Sequence, residues 1–438
     1  ELVFDDPYFY LQADPCMCLV FNTNGLLASA LDGCGNAVSY SYDGLNRLVA
    51  VSNTFGGGLA FTYDGDRITT ITDQMGRSAV YGYDGTRLTT YTDPATNEWL
   101  YTYDAGGRLA AITRPRGNTV VSNAYDALGR VVEQRDADGT GMAFYYFFTG
   151  SRWESSDGSE MTFFLDAEGH ETGNVNALGG AYALEYDGIG ALQGARNRAG
   201  AETMFEYDPL SGRLLSVTNA AGVRMGFTYL DTAHVFTNTL DTGRTVTFTY
   251  DRLHRVAYAD GSTVERLYDS RGNVVTNIDQ AGQVTVHQYD ARGLRAATVN
   301  PTGGVVTVTY NPDGTPASTT DSDTGGVTYT YDAPARSVTV TRPDGSARTY
   351  AYDDNRRPVR VVDGNGITSR VFYDANGNVT NVTRAAGRPL QSSVSYSYDA
   401  MDRLTALTDE DGHEMAFGHG PGGGVNRIAF PGGDEVTI

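Results

Sequence analysis

Cysteine is almost missing from this chain: Cys16, Cys18 and Cys34 are the only three in 438 residues. That count excludes a disulfide framework, and no second Cys/His cluster completes a metal-ligand set. A single bond from Cys34 to either partner stays open beside free thiols. Helical signals are as scarce. No long stretch repeats apolar residues at three- and four-residue intervals, which sets a helical bundle aside. No apolar run has the length of a membrane-spanning helix, and no leader pattern stands at Glu1. Positive charge is outweighed, with a net charge of −21. A nucleic-acid binder carries a basic patch, and none occurs. The acid is spread through turns (Asp136, Asp138, Asp321, Asp323, Asp409, Glu410, Asp411), as solubility of a large exposed surface requires.

Catalytic signatures are missing too. The six histidines are His170, His234, His254, His287, His413 and His419. His413-Glu414 begins like a zinc-protease helix, but the next histidine is His419, too far along to share a helical face. No Gly-x-Ser-x-Gly elbow and no phosphate loop occurs, and Gly422-Gly423-Gly424 reads as a loop.

What the chain has in quantity is tyrosine, 29 residues, and glycine, 53. Fourteen tyrosines stand directly before an aspartate. The series opens with Tyr42-Asp43, Tyr63-Asp64, Tyr83-Asp84, Tyr103-Asp104 and Tyr125-Asp126. It continues with Tyr186-Asp187, Tyr207-Asp208, Tyr250-Asp251, Tyr268-Asp269 and Tyr289-Asp290. It closes with Tyr331-Asp332, Tyr352-Asp353, Tyr373-Asp374 and Tyr398-Asp399. Degenerate copies (Tyr146-Phe147, Leu165-Asp166, Tyr229-Leu230, Tyr310-Asn311) fill the gaps, and most steps are 20 to 22 residues. A fixed period of this size marks a repeat architecture, in which each unit is stabilised only by its neighbours.

One unit can be read from Phe61 to Gly82. Phe61-Thr62-Tyr63-Asp64 is a strand, Gly65-Asp66-Arg67 a turn, Ile68 to Asp73 a second strand, and Gln74-Met75-Gly76-Arg77 a second turn. Runs of Thr, Val, Ile and Tyr between Gly/Asp/Asn clusters read as hairpins. Alternation places Trp99, Tyr101 and Tyr103 on one face and Leu100 and Thr102 on the other. Cross-strand ladders of tyrosine and threonine follow, with tyrosine rings packed sideways and their hydroxyls wet. The aspartate starts each turn by bonding its own backbone, and glycine supplies the positive φ. Asp399-Ala400-Met401-Asp402-Arg403 keeps this frame without the glycine.

The expected fold is therefore all-β: tandem β-hairpin repeats forming one long spiralling sheet. Residues 1–20 are expected to be an N-terminal strand or an edge segment of a preceding repeat. Residues 21–438 are expected to be a continuous array of about 20 repeats. Within it, 144–180 reads as degenerate repeats, with a small inserted element as the alternative. Both ends break off abruptly, the C-terminus inside a repeat, so a longer parent protein is expected. About 40 strands at ~4.8 Å make a strip of roughly 190 Å, or a ring of roughly 30 Å radius if closed once. Strand twist requires such a strip to coil.

The string Tyr-Asp-x-x-Gly-Arg-Leu, as in Tyr103 to Leu109, resembles the YD-repeat, or Rhs-repeat, proteins. So does its near match Tyr125 to Val131. Tyr42 to Leu48 and Tyr398 to Leu404 match with Asn and Asp in place of Gly. The resemblance spans roughly residues 20 to 430. It implies a strip of hairpins forming all or part of a hollow shell. Bacterial members include Rhs polymorphic toxins and cocoon components of Tc toxins, whose shell encloses a toxic polypeptide. Teneurins use a similar shell in a cell-adhesion receptor. Toxin-carrying members also have a self-cleaving core segment. No such segment stands in these 438 residues, so neither that activity nor the cargo is carried over.

The remaining candidates are weighed against turn chemistry. Asp136-x-Asp138-Gly139, Asp321-x-Asp323-x-Gly325 and Asp409-Glu410-Asp411-Gly412 read as turns, with weak cation binding or acid/base chemistry as alternatives. None has the terminal Glu of an EF-hand loop. The pairs Asp43/Arg47, Asp104/Arg108, Asp126/Arg130 and Asp399/Arg403 read as ion pairs between neighbouring turns. The aromatic runs Tyr8-Phe9-Tyr10 and Tyr145 to Phe148 read as packing, with sugar or cargo contact as the alternative. The expected function is a non-enzymatic scaffold, secreted or at the cell surface, with no cofactor and no nucleic acid. Its partner would be an enclosed polypeptide or further repeats of the parent. Two alternatives remain: an adhesion or glycan-recognition module, and a β-solenoid enzyme acting on polysaccharide.

Overall fold

The structure is a computed structural model that describes residues 2–5, 8–14, 17–230, 235–240, 245–249, 255–257, 262–420 and 423–438. Among these residues all regular structure is β, in 43 strands from β1 (Leu2–Asp5) to β43 (Glu435–Thr437). Each strand pairs antiparallel with the next in sequence, so the sheet is one continuous up-and-down meander. A hairpin cannot bury a face alone, and here each finds its partners in the hairpins before and after it.

The register is interrupted in most repeats. Ser41 faces Ala50 while Tyr42 faces Leu48, which leaves Val49 as an extra residue. The same shift recurs at Tyr63, Tyr103, Tyr125, Tyr289, Tyr373 and Tyr398. A bulge bends its strand and increases the local twist. Repeated in most hairpins, it turns a flat strip into a coil.

The two faces of the sheet differ. One carries Tyr40, Phe61, Tyr81, Tyr101 and Phe144, paired across to Val51, Ile71, Tyr91, Ile112 and Trp153. The other carries small and hydroxylated residues, such as Ser39, Ser41, Thr62 and Thr102, and lies in solvent. The packed interior is minimal: the buried apolar side chains among the described residues are Val20, Ala297, Ala351 and Ala406. The accessible surface is 25563 Å². A compact monomer of this mass exposes about 16,000 Å². The molecule is thus a single layer, not a pair of sheets over a solid core.

Because strands alternate in direction, turns fall alternately on two rims. The Tyr-Asp turns share one rim. The turns at Asp32, Asn53, Asp73, Asp93, Arg114 and Asp136 share the other, called here the plain rim. The plain rim of the first coil meets the Tyr-Asp rim of the second. Asn36 Nδ2 donates to the Arg292 carbonyl (2.7 Å) and Arg77 to the Asp354 carbonyl (3.2 Å). Asn355 Nδ2 donates to Asp93 Oδ2 (2.7 Å), and Asn118 Nδ2 to the Ala400 carbonyl (2.7 Å). These contacts join turns 25 or 27 strands apart. At ~4.8 Å per strand that is a circumference of about 120–130 Å and a radius of about 20 Å. The ribbon is therefore tighter than a single closed ring of roughly 30 Å. It overlaps itself, because the bulges curve it and the rims dock on each other.

Candidate functional site

The repeated Tyr-Asp pairs do not converge. They stand one per repeat along a rim, about 10 Å apart, two strand spacings. Most of those described build the same local clamp. In the first, Asp43 Oδ1 accepts the Leu45 and Arg47 N–H groups (2.9 and 3.0 Å), and Oδ2 accepts Arg47 Nε (2.7 Å). The chain then turns through Asn46 at φ 63°. Asp104, Asp126, Asp353 and Asp399 repeat these bonds with Arg108, Arg130, Arg357 and Arg403. Asp187, Asp208, Asp269, Asp290 and Asp374 cap their own turns likewise. Asp64 and Asp84 differ. They end their strands opposite Arg67 and Arg87, in two-residue hairpins led by Gly65 and Gly85 at φ 57° and 58°. Asp332 accepts only the Ala335 N–H, at 2.9 Å. Tyr250-Asp251 lies outside the described residues, as do His234, His254 and Cys16.

The tyrosine reaches backwards. Tyr63 Oη donates to the Leu48 carbonyl (2.6 Å), Tyr83 to Ile68 (2.8 Å), Tyr103 to Leu88 (2.8 Å) and Tyr289 to Val274 (2.8 Å). Tyr42, Tyr125, Tyr146, Tyr310, Tyr373 and Tyr398 do the same. Leu48 directly precedes the extra residue Val49 of the previous hairpin's bulge, and the ladder to the next strand starts only at Ala50. The hydroxyl therefore satisfies a carbonyl that the bulge leaves without a strand partner. The expectation of a wet hydroxyl is corrected accordingly. In the last unit His419 Nε2 occupies the same place on the Leu404 carbonyl, at 2.8 Å.

The arginine reaches forwards. Arg108 pairs with Asp104 of its own turn (2.7 Å), while Nη1 donates to the Asp126 carbonyl of the next Tyr-Asp turn (2.9 Å). Its guanidinium also lies over the Tyr125 ring, 4.6 Å from the centroid. Arg47 over Tyr63, Arg130 over Tyr146 and Arg357 over Tyr373 repeat the stack at 4.4 to 4.7 Å. The ion pair is thus internal to a turn. What crosses to the next turn is the stack and the carbonyl bond, which corrects the reading of these pairs as turn-to-turn bridges. A signal for this stood in the composition: the sequence contains no lysine, so all 32 basic residues are arginine. Only a planar guanidinium can fork onto a carboxylate and stack on a ring together.

Electrostatics follow the clamps. The Arg47 and Leu45 N–H groups and the Arg47 guanidinium hold the Asp43 carboxyl below the usual carboxylate range. Asp402, on the seam, is the most connected carboxylate. It takes Arg114 and Arg116 from the first coil, and Asn376 and Asn378 from its own. Burial pushes its carboxyl up, but those amides and Arg114 more than offset this, and the net shift is downward. Asp402 also holds φ 61°, a left-handed conformation where other repeats use glycine.

The remaining candidates fall into turns. Asp409, Asp411 and His413 bring ligand-type atoms within 4.8 Å of one another. Asp409 Oδ1 is taken by the Asp411 and His413 N–H groups, and Oδ2 by His413 Nδ1 (3.0 Å). Asp166 and His170 repeat the pair at 2.9 Å, so histidine stands in for the turn arginine. His287 is buried, with its ring between Asn277 (3.0 Å) and Thr298 (3.1 Å), and its pKa is lowered by burial and by Arg295. Cys18 and Cys34 are free thiols. Tyr8 and Tyr145 to Phe148 are exposed, with Arg152 over the Tyr145 ring at 4.6 Å. A cleft of about 560 Å³ spans the seam, floored by Tyr91 and Trp99 and rimmed by Asn355 and Arg356.

Comparison with known proteins follows from this geometry. Residues 20–162 and 267–388 match the teneurin YD-shell family, together more than half of the chain. Residues 373–414 match the RHS repeat. A stretch of 113 residues is 32% identical to the double-stranded DNA deaminase toxin A of Burkholderia cenocepacia strain H111. That stretch is 25% of this chain and 8% of the toxin. A chain of the Photorhabdus luminescens Tc holotoxin pore has the same fold, with a TM-score of 0.57 at 11% identity. The likeness covers 98% of this chain and 29% of that one, so the present ribbon spans under a third of its relative.

Proposed function

The chain belongs to the teneurin YD-shell family, and from that premise we propose that it is a non-enzymatic scaffold, a segment of a β-shell that encloses or carries a polypeptide. The observation that carries this reading is the single-layer coil. Four buried apolar side chains among the described residues, and an accessible surface of 25563 Å², leave the wall without a solid filling. The Tyr-Asp pairs serve as structural clamps in this reading. In most described repeats the phenol, the carboxylate or both are committed to carbonyls, N–H groups and guanidinia. The deamination named in the Burkholderia relative needs a zinc-binding His-x-Glu and Pro-Cys-x-x-Cys pair. Neither pattern occurs in this sequence, which supports a carrier over a catalyst. In the same reading the parent protein is secreted or surface-exposed, with an enclosed effector or further repeats as partners; the likeness to toxin components supports this.

Small-angle scattering tests the hollow wall. A compact chain of this length has a radius of gyration of about 22 Å. The coil requires a clearly larger value, and a result near the compact one sinks the reading. Carriage is tested by fusing an unfolded, protease-sensitive reporter after Ile438. The expected outcome is slower cleavage than for the free reporter, and equal rates argue against enclosure. Recognition through the outer surface is favoured by one feature, the exposed Tyr145 to Phe148 run. It requires ligand binding that is lost in Tyr145→Ala with Phe148→Ala.

A further inference from the structure

The seam uses only part of each rim. Plain-rim turns from Asp32 to Asp138 are covered by Tyr-Asp turns from Arg271 to Arg403. The Tyr-Asp turns from Asp43 to Asp208 have no coil against them among the described residues, and neither do the plain-rim turns from Asn176 onward. The covered and open stretches of the Tyr-Asp rim differ in one position, two residues after the turn aspartate. Where the rim is covered, that position is mostly polar, as in Arg292, Asn355 and Asn376, with Pro334 and Met401 as exceptions. The Arg292 backbone and the Asn355 and Asn376 side chains meet the neighbouring coil. Where the rim is open, it holds Leu45, Leu128, Ile189 and Leu210, which are 72%, 78%, 82% and 96% exposed, interspersed with Asp66, Thr86, Gly106 and Glu168. The open plain rim carries Leu178 and Leu390, 94% and 88% exposed. Turn tips are ordinarily polar, and aliphatic tips aligned along one rim mark a surface that is covered in use.

We propose that the open Tyr-Asp rim is a docking surface for the open plain rim of a second copy of this chain. The seam within the molecule is the template. It already joins these two kinds of rim, and the proposed contact continues it by one more coil. The two surfaces are different and complementary, so the contact is head-to-tail and does not close on itself. Each added copy leaves one rim of each kind free. The aliphatic tips take the place that amides and guanidinia hold in the internal seam. The contact is therefore apolar and less sensitive to salt than the Arg114–Asp402 region. This inference rests on the seam and not on enclosure of a polypeptide, so the two can fail separately.

The test is sedimentation velocity with light scattering on the 438-residue chain across a wide concentration range. The expected result is an average mass that climbs past twice 47.1 kDa as concentration rises. One variant carries Leu45→Asp, Leu128→Asp, Ile189→Asp and Leu210→Asp. A second carries Leu178→Asp and Leu390→Asp. All six side chains are exposed, so folding is retained, and far-ultraviolet dichroism checks this. Each variant alone should stay monomeric. Mixed one to one, they should form a heterodimer and stop there, since each lends its intact rim to the other. A wild-type chain that stays monomeric at every concentration overturns the proposal. So does unchanged self-association of either variant, or a mixture that forms no heterodimer.

Discussion

Replacing Tyr103 by phenylalanine removes one atom from one clamp. Its hydroxyl donates to the Leu88 carbonyl at 2.8 Å, and its ring lies under the Arg87 guanidinium at 5.7 Å. Phenylalanine keeps the ring, the packing and the stack. What is lost is one neutral hydrogen bond to a carbonyl that the bulge leaves unpaired. Such a bond contributes about 0.5–1.5 kcal/mol net, and partial access of water favours the lower half, about 0.5–1 kcal/mol. In a repeat array the loss stays between neighbouring hairpins. Amides of β10 (Arg87–Thr92), β11 (Glu98–Tyr103) and β12 (Leu109–Thr113) should then exchange about two- to fivefold faster, with distant repeats unchanged. The chain supplies its own control. Tyr331 has the same sequence position in its repeat but makes no such bond, and its hairpin runs from Tyr331↔Val338 to Asp332↔Ser337 without a bulge. Tyr331→Phe should leave exchange unaltered. An equal effect at both tyrosines, or none at Tyr103, would refute the claim that the hydroxyl joins one hairpin to the previous one.

Three further outcomes test the same physics. Arg108→Lys keeps the charge but loses the fork on Asp104 and the stack on Tyr125. It should destabilise the local hairpins, read as faster hydrogen exchange there with distant repeats unchanged; a neutral result would remove arginine's special role. Asp402→Gly relieves the left-handed strain yet deletes the acceptor for Arg114 and Arg116. Limited proteolysis at the 114–118 and 398–403 turns should speed up, and unchanged rates would mean the seam does not depend on this node. Acid should loosen the molecule mainly below pH ~4. The pKa values of Asp43, Asp104, Asp126, Asp399 and Asp402 are lowered by folding, so their contribution is complete above the unfolded value and is lost as pH falls through the folded one. His287, lowered by burial and Arg295, adds a shallow decline below pH ~6.5 as the unfolded chain takes up its proton. A midpoint that collapses between pH 5 and 6 would contradict this assignment.

The interior of a repeat was legible in the residues. Phe61 to Asp73 reads as two strands and a turn because β-branched and aromatic alternation, broken by Asp and Gly, leaves the backbone few other choices. The aspartate's role was legible for the same local reason: its partners are its own turn's N–H groups, two and four residues on. The partners of the tyrosine were not, since the acceptor lies 15 residues back, at a carbonyl that only the bulge leaves free. The arginine's second reach, to the next turn and the next ring, was hidden by the same distance, although the complete replacement of lysine by arginine pointed towards it.

The sequence by itself determined the period, the strand order and the alternation of faces, because each depends on contacts within a repeat or between adjacent ones. Tertiary structure alone decided where the ribbon meets itself. Near-identical turns offer many equivalent registers, and no local pattern chooses among them. The choice of about 25 strands per coil is set by accumulated bulge curvature. It is also set by a few long-range side chains, Asn36 on Arg292, Asn355 on Asp93, and Arg114 with Arg116 on Asp402. Those partners stand some 260 residues apart, a separation that no short repeat encodes.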